Sequence, residues 1–357
     1  MSGTLLLPEA PRRVLIVRLS AIGDVIMSSG LIPVLHAAWP QADIVWLTDE
    51  GNAPLLSHNP RLAAVLALPR RRWSEFWRSG RRREAAGEAL QFVRALRARR
   101  FDLALDLQGL LKSGVWTLLC GASRRVGLGS REGSALLMSH VVGREVRDDR
   151  LGKEYRLLAT ALGLDAERFA MDVVTAPQDD LRARAALDAA GVVGDYCALA
   201  PFTTRPQKHW LDERWSQLGE RLGAEHGWRP VLLGGPADRE RGQAIADASS
   251  GAIVSLAGRT SLTEAAAVIR DARALIGVDT GLTHLGIAMR TPTLALFGST
   301  RPYADPGAPR ARVLYHAMPC SPCRRRPTCN GRYDCMRLHT VDSVAQAVAR
   351  LAHEADS

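Results

Sequence analysis

Two successive series of short apolar runs alternating with longer stretches of helical spacing constrain this chain more than any other feature. In the first series VLIVRL (14–19), DIVWLT (43–48) and DLALDL (102–107) have the composition of buried strands. Helical spacing fills the gaps: about Ile22 to Ala38, a helix from Gly109, and KEYRLLATALGL (153–164). Trp73 to Arg100 is also helical, with Phe76, Leu90, Val93 and Leu96 on one side and the arginines outward. A second series holds strands at YCALAP (196–201), RPVLLGG (229–235), near Ile253, at ARALIGVD (272–279) and at TPTLALFG (291–298). Its helices are expected at about Asp212–His226, Arg239–Ala248, Leu262–Arg270 and from Gly281, with a last one in VDSVAQAVARLAHEA. Strands alternating with helices make parallel sheets covered on both faces.

At 357 residues the chain is too long for one ordinary core. The pattern loosens around 165–195, so the expected architecture is α/β, two Rossmann-like doubly wound domains facing a central cleft, residues 1–175 and 176–357, with a return of the last helix to the first domain left open. Ligands in such folds sit at the carboxyl ends of the strands.

Charge narrows the partners. The net charge is +10, and between Arg70 and Arg100 eleven arginines face only Glu75, Glu84 and Glu88. Lys112, Lys153 and Lys208 are the only lysines among 47 basic residues, so arginine in place of lysine on solvated faces explains part of this. An acidic ligand or an anionic membrane surface is the other reading. No apolar run approaches the ~20 residues of a membrane span. The opening MSGTLLLPEAPRR has no basic leader and no cleavage pattern, so a cytoplasmic chain without an export signal is expected.

Several strand ends carry residues suited to chemistry. In RLSAIGD the first strand ends in a loop with Ser20, Gly23 and Asp24 in place of a glycine-rich phosphate cradle. APFTTRPQKHW (200–210) offers Thr203, Thr204 and Lys208, two hydroxyls and an ammonium that match diphosphate oxygens, although a capped turn explains the same residues. In LLGGPADRER (232–241) two glycines allow close backbone approach, and Asp238 or Glu240 suits ribose hydroxyls; an unexceptional strand-to-helix turn reads the same way. GVDTGLTHLGIAM (277–289) sets Asp279, Thr280 and Gly281 between a buried strand and a helix start, with His284 within the first turns. Helix-start amides favour an anion, while capping accounts for Asp279 and Thr280 alone.

Taken together, RLSAIGDVIMSSGLIPVL, FDLALDLQGLLKSG, PFTTRPQKHW, GGPADRER and GVDTGLTHLGIAM resemble, in order and over most of the chain, the bacterial heptosyltransferases of lipopolysaccharide inner-core synthesis. These are two-domain GT-B glycosyltransferases of family 9. The resemblance implies inverting transfer of L-glycero-D-manno-heptose from ADP-heptose, held by the C-terminal domain, to the Kdo/heptose inner core of lipid A, met by the N-terminal domain. It makes Asp24 the general base and Lys208 its catalytic counterpart at the diphosphate. Thr203, Thr204, Asp279, Thr280, Gly281 and His284 would hold the donor, with Asp238 or Glu240 at the ribose. Ser20, Gly23, Gln108, Lys112 and the arginines Arg70, Arg71 and Arg72 would meet the acceptor. Trp73 and Trp77, read as exposed, would suit peripheral contact with the cytoplasmic face of the inner membrane.

A single displacement needs a base and a site for the departing diphosphate, so no metal is expected in the chemistry. The spacing C-x2-C-x5-C-x5-C of Cys320, Cys323, Cys329 and Cys335 can surround a structural zinc or iron, with reduced thiols packing a loop as the alternative. Another GT-B sugar transferase or a nucleotide-sugar epimerase would share the fold. A basic nucleic-acid-binding protein would share the charge but lacks a recognition helix or stacking motif and leaves DTGLTH unused, so nucleic acid is not an expected partner.

Overall fold

The computed structural model describes residues 9–145, 148–303, 305–323 and 326–356. Most of the leader-like stretch considered above, residues 1–8, and two arginines of the cysteine loop lie outside them. The described chain divides into two compact units. The first runs to Asp148 and takes up Gly152–Val174; the second holds Asp149–Leu151 and everything from Thr175 on.

The first unit runs β1 (Arg13–Val17), α1 (Ile22–Ser28), α2 (Leu31–Ala38), β2 (Asp43–Asp49), α3 (Pro54–Ser57), β3 (Ala64–Leu68), α4 (Arg70–Arg78) and α5 (Arg82–Ala98). It continues with β4 (Leu103–Asp106), α6 (Leu111–Leu119), β5 (Arg124–Leu128), β6 (His140–Val142) and α7 (Lys153–Ala161). All strands are parallel, in the order β3-β2-β1-β4-β5-β6. Val14 to Val17 and Leu103 to Leu105 are buried on both faces, as central parallel strands require.

Two helices expected as single pieces are broken. The 22–38 helix divides at Gly30, where a Cβ would run into the Phe169 ring, and Pro33 has no amide to continue the ladder. The long arginine-rich helix divides at Gly80, whose φ of 78° lies in the left-handed region.

The second unit repeats the plan with α8 (Pro177–Ala189), β7 (Tyr196–Ala200), α9 (Asp212–His226), β8 (Arg229–Leu232), α10 (Arg239–Asp247), β9 (Val254–Ser255) and α11 (Leu262–Arg270). Then come β10 (Ala274–Val278), α12 (Gly281–Ala288), β11 (Thr293–Phe297), β12 (Ala311–Tyr315), α13 (Asp334–Arg337) and α14 (Val341–Asp356). Its strand order, β12-β11-β10-β7-β8-β9, reads from the other edge as the same topology. The order in which strands are added therefore reverses once in each sheet, between β1 and β4 and between β7 and β10. The crevice at such a switch point is where doubly wound sheets bind ligands. The final helix packs within this second unit, on α9, β10 and β11, burying Val344, Val348 and Leu351 in a core that also holds Trp210 and Trp215.

Candidate active site

In the first unit, β1 ends in a loop held at Leu19 from two sides. The Leu19 amide donates to Gln108 Oε1 at 3.0 Å, and the Leu19 carbonyl accepts from Asn52 Nδ2 at 2.8 Å. Asp106, at the end of β4, is buried and accepts from the Gln108 and Gly109 amides and from Ser113 Oγ, each at 3.0 Å. Burial pushes its carboxyl above the usual range against those donors. Gln108 thus acts as a strut beneath the loop.

Asp24 stands in the first turn of α1. Its Oδ2 accepts from the Ala21 amide at 3.2 Å and pairs with Arg18 Nη2 at 2.5 Å. The Arg18 side chain is 6% exposed and that of Asp24 39%. Gly23 is half-buried in the same turn. Ser20 Oγ receives Lys112 Nζ at 3.2 Å, so Ser20, Asp24, Gln108 and Lys112 gather around the β1–β4 switch point. Arg18 was absent from the sequence expectations, although it directly precedes LSAIGD.

The basic segment is only partly free. Arg70 pairs with Asp49 at 2.7 Å and Arg72 with Glu88, while Arg71 is exposed and makes no ion pair among the described residues. Burial raises the Asp49 carboxyl, and Arg70 and Lys112 oppose that shift. The reading of Trp73 as exposed is corrected. Its ring stacks on Trp116 (5.9 Å), meets Phe92 edge-on (5.8 Å), and donates Nε1–H to Glu88 at 3.1 Å. Trp77 is 59% exposed.

In the second unit the cluster centres on Asp279, after β10. Its Oδ2 meets Lys208 Nζ at 2.5 Å and Thr300 Oγ1 at 2.6 Å; its Oδ1 lies 3.7 Å from His284 Nε2. Thr203 Oγ1 donates to the Asp279 carbonyl at 3.4 Å. Burial alone would raise this carboxyl, but His284 and Lys208 hold it far below the usual carboxylate range. Thr280 is the N-cap of α12 and makes no side-chain capping hydrogen bond, while the Asp279 carboxylate is engaged by Lys208, Thr300 and His284. Thr280 and Gly281 form the half-buried start of α12, where first-turn amides lack intrahelical partners.

His284 Nδ1, the Tyr303 hydroxyl and Ser299 Oγ are buried polar atoms without a partner among the described residues. Tyr303 packs 6.0 Å from the His284 ring, and burial beside Asp279 pushes its hydroxyl well up. Thr300, Ser299 and Tyr303 escaped the sequence reading, although they follow β11 as the other site residues follow their strands. Thr204 is exposed and, with Thr203, lines a hollow of about 420 Å³ walled by His209, Arg241 and Arg337.

The ribose candidates are not drawn in. Asp238 Oδ2 accepts from the Gly235 amide at 2.8 Å, a local turn, and Glu240 is exposed on α10. Neither has a hydrogen bond or ion pair to the Asp279 cluster among the described residues.

Among the described residues no three His, Cys, Asp or Glu side chains form a set able to hold an ion, and all six cysteines are free. Cys335 packs its sulfur against Gly298, Cys323 leans toward the Ser299 carbonyl at 3.9 Å, and Cys320 is exposed. Burial, then the neighbouring thiols, push Cys335 up.

The family model of glycosyltransferase family 9 (heptosyltransferase) matches residues 89–334. The chain belongs to that family. As a family 9 member it is a glycosyltransferase, and its match spans both units. It is 32% identical over 335 residues to lipopolysaccharide heptosyltransferase 1 of Pseudomonas aeruginosa, covering 89% of this chain and 87% of that protein. Among solved structures it is similar to the E. coli heptosyltransferase WaaC with ADP-2-deoxy-2-fluoro heptose, with a TM-score of 0.71, 26% identity, and coverage of 95% and 99% of the two chains. The family 9 glycosyl transferase of Veillonella parvula shares the fold, with a TM-score of 0.80 at 20% identity over 99% of both chains.

Proposed function

We propose that this family 9 enzyme transfers heptose, with inversion, from ADP-heptose to the Kdo-bearing inner core of lipid A. Support for the sugar and the acceptor comes from its similarity to a lipopolysaccharide heptosyltransferase 1. The observation that carries the chemistry is the contrast between a half-exposed carboxylate at the β1 end and a cation with hydroxyls at the β7 and β10 ends.

In this reading Asp24 takes the proton of the acceptor hydroxyl as its oxygen bonds to the anomeric carbon and the bond from that carbon to the diphosphate breaks. A carboxylate is suited to this because it accepts a proton as the new bond forms. The leaving ADP gains charge on its phosphate, and Lys208, the Thr203 and Thr204 hydroxyls and the amides around Gly281 stabilise it. Asp279 holds Lys208 and His284 in place. Of Arg70, Arg71 and Arg72, Arg71 is the one without an ion pair among the described residues and meets the acidic acceptor, with Ser20 and Lys112 beside the base. Trp77 and the arginines of α4 and α5 give the enzyme a peripheral hold on the cytoplasmic face of the inner membrane. No helix among the described residues is long and apolar enough to cross a membrane.

The test supplies purified enzyme with ADP-heptose and either Kdo2-lipid A or the same acceptor already carrying one heptose. Transfer to the unheptosylated acceptor is expected. Turnover of only the heptosylated one would assign a later step, and release or rearrangement of the sugar without acceptor would favour an epimerase.

A further inference from the structure

Arg18 is a buried charge that the transfer scheme does not use. Its guanidinium is forked between two jobs: Nη1 donates to the Leu107 carbonyl at 2.8 Å and Nη2 meets Asp24 Oδ2 at 2.5 Å. Leu107 O also accepts from Arg144 Nη2 at 2.9 Å, and Arg144 reaches Gln108 O at 3.0 Å, so the platform under Arg18 is fixed from a second side. Tyr155, fully buried, lies close enough to interact electrostatically with it. At 6% exposure Arg18 is poorly placed to hold a substrate.

Its effect on Asp24 is specific. Oδ2 already receives the Ala21 amide and the guanidinium, whereas Oδ1 has no partner among the described residues. A carboxylate oxygen engaged by two donors has little lone-pair capacity left for a proton. We infer that Arg18 is a positioning residue for the transfer reaction: it clamps Asp24 through Oδ2 so that Oδ1 is the oxygen offered to the acceptor hydroxyl. The inference rests on the reading of Asp24 as the base.

An arginine suits the task better than a lysine. One planar fork can hold the β4-end carbonyl and the carboxylate together, which a single ammonium cannot do with the same geometry. Misplacing a catalytic group by about 1 Å costs on the order of a hundredfold in rate.

The experiment measures steady-state transfer from ADP-heptose to Kdo2-lipid A for wild type, Arg18→Gln, Arg18→Lys and Asp24→Asn, with thermal melts of each. Arg18→Gln is expected to lower kcat by about a hundredfold while KM for the donor stays within about threefold, as for a group that serves only the transition state. Arg18→Lys is expected to recover part of that loss and still fall about tenfold short of wild type. Wild-type kcat in both Arg18 variants, with Asp24→Asn slow, would overturn the role of Arg18 alone. Wild-type kcat in Asp24→Asn would overturn the base reading beneath it. A kcat loss in Arg18→Gln matched by an equal rise in KM and a collapsed melt would mark Arg18 as merely structural. If Arg18→Gln shows no cooperative melt, Arg18→Lys decides: a tenfold lower kcat with KM kept supports the clamp, and wild-type kcat refutes it.

Discussion

Both units place a carboxylate and a cation 2.5 Å apart at the switch point of the same strand order, yet the two pairs are enclosed differently. In the first, the cation is enclosed and the carboxylate is 39% exposed. In the second, the carboxylate is the hub, 15% exposed and bound by Lys208, Thr300 and His284, and what surrounds it is cationic or hydroxylic. Two copies of one topology can therefore present opposite chemistry from similar ion pairs. In the first pair only the cation is buried, which leaves a proton acceptor at the surface; in the second both partners are equally enclosed, Lys208 16% and Asp279 15% exposed, and the groups gathered on the carboxylate make the anion cradle.

The contrast breaks most sharply at Lys208. Replacing it by alanine is expected to cut transfer by two to three orders of magnitude, about 3 to 4 kcal/mol of transition-state stabilisation, and to weaken ADP binding in calorimetry. Equal ADP affinity in Lys208→Ala and wild type would remove the anion cradle from the second unit.

Acid stability should sharpen the comparison next. His339 is buried in the second unit, its Nε2 bonded to the Phe297 carbonyl at 2.9 Å; burial, with His316 and Arg214 near, pushes its pKa down to about 4. The folded value lies below the unfolded one, so between about pH 6.5 and 4 the unfolded chain binds the extra proton. The stabilisation is whole above that window and is lost as pH falls through it, by about 3 kcal/mol at most. Urea melts from pH 7 to 4 should show this slope, and His339→Gln should flatten it. An unchanged slope in that variant would place the acid-labile group elsewhere.

The two tryptophans of α4 give the smallest pair of effects. Trp73→Ala removes a ring stacked on Trp116 and should cost about 3 kcal/mol. Trp77→Ala should change stability by less than about 0.5 kcal/mol while weakening flotation with anionic vesicles. Equal flotation of wild type and Trp77→Ala would detach the basic segment from the membrane.

Strands buried on both faces and the loops that end them were legible in the sequence, because continuous apolar runs and the adjacent hydroxyls and charges are local signals. Helix α9, Asp212–His226, was placed at its observed ends. Strands β3, β5, β6 and β12 were not read: β6 has three residues, and β12 is mostly half-buried at a sheet edge. The break at Gly30 depends on Phe169, far along the chain, and Trp73 is enclosed by rings from α5 and α6. Arg18 was passed over as the end of a strand, since its carbonyl partner lies 89 residues away. Tertiary contacts of this kind leave no periodicity to read.

Single-turnover transfer by Asp24→Asn, with donor affinity measured on the same sample, tests the contrast between proton acceptor and anion cradle most directly. The substitution keeps the shape and removes the proton acceptor. The account predicts ADP-heptose affinity within about threefold of wild type and a transfer rate lower by at least about a hundredfold. Transfer at the wild-type rate with affinity unchanged would contradict it.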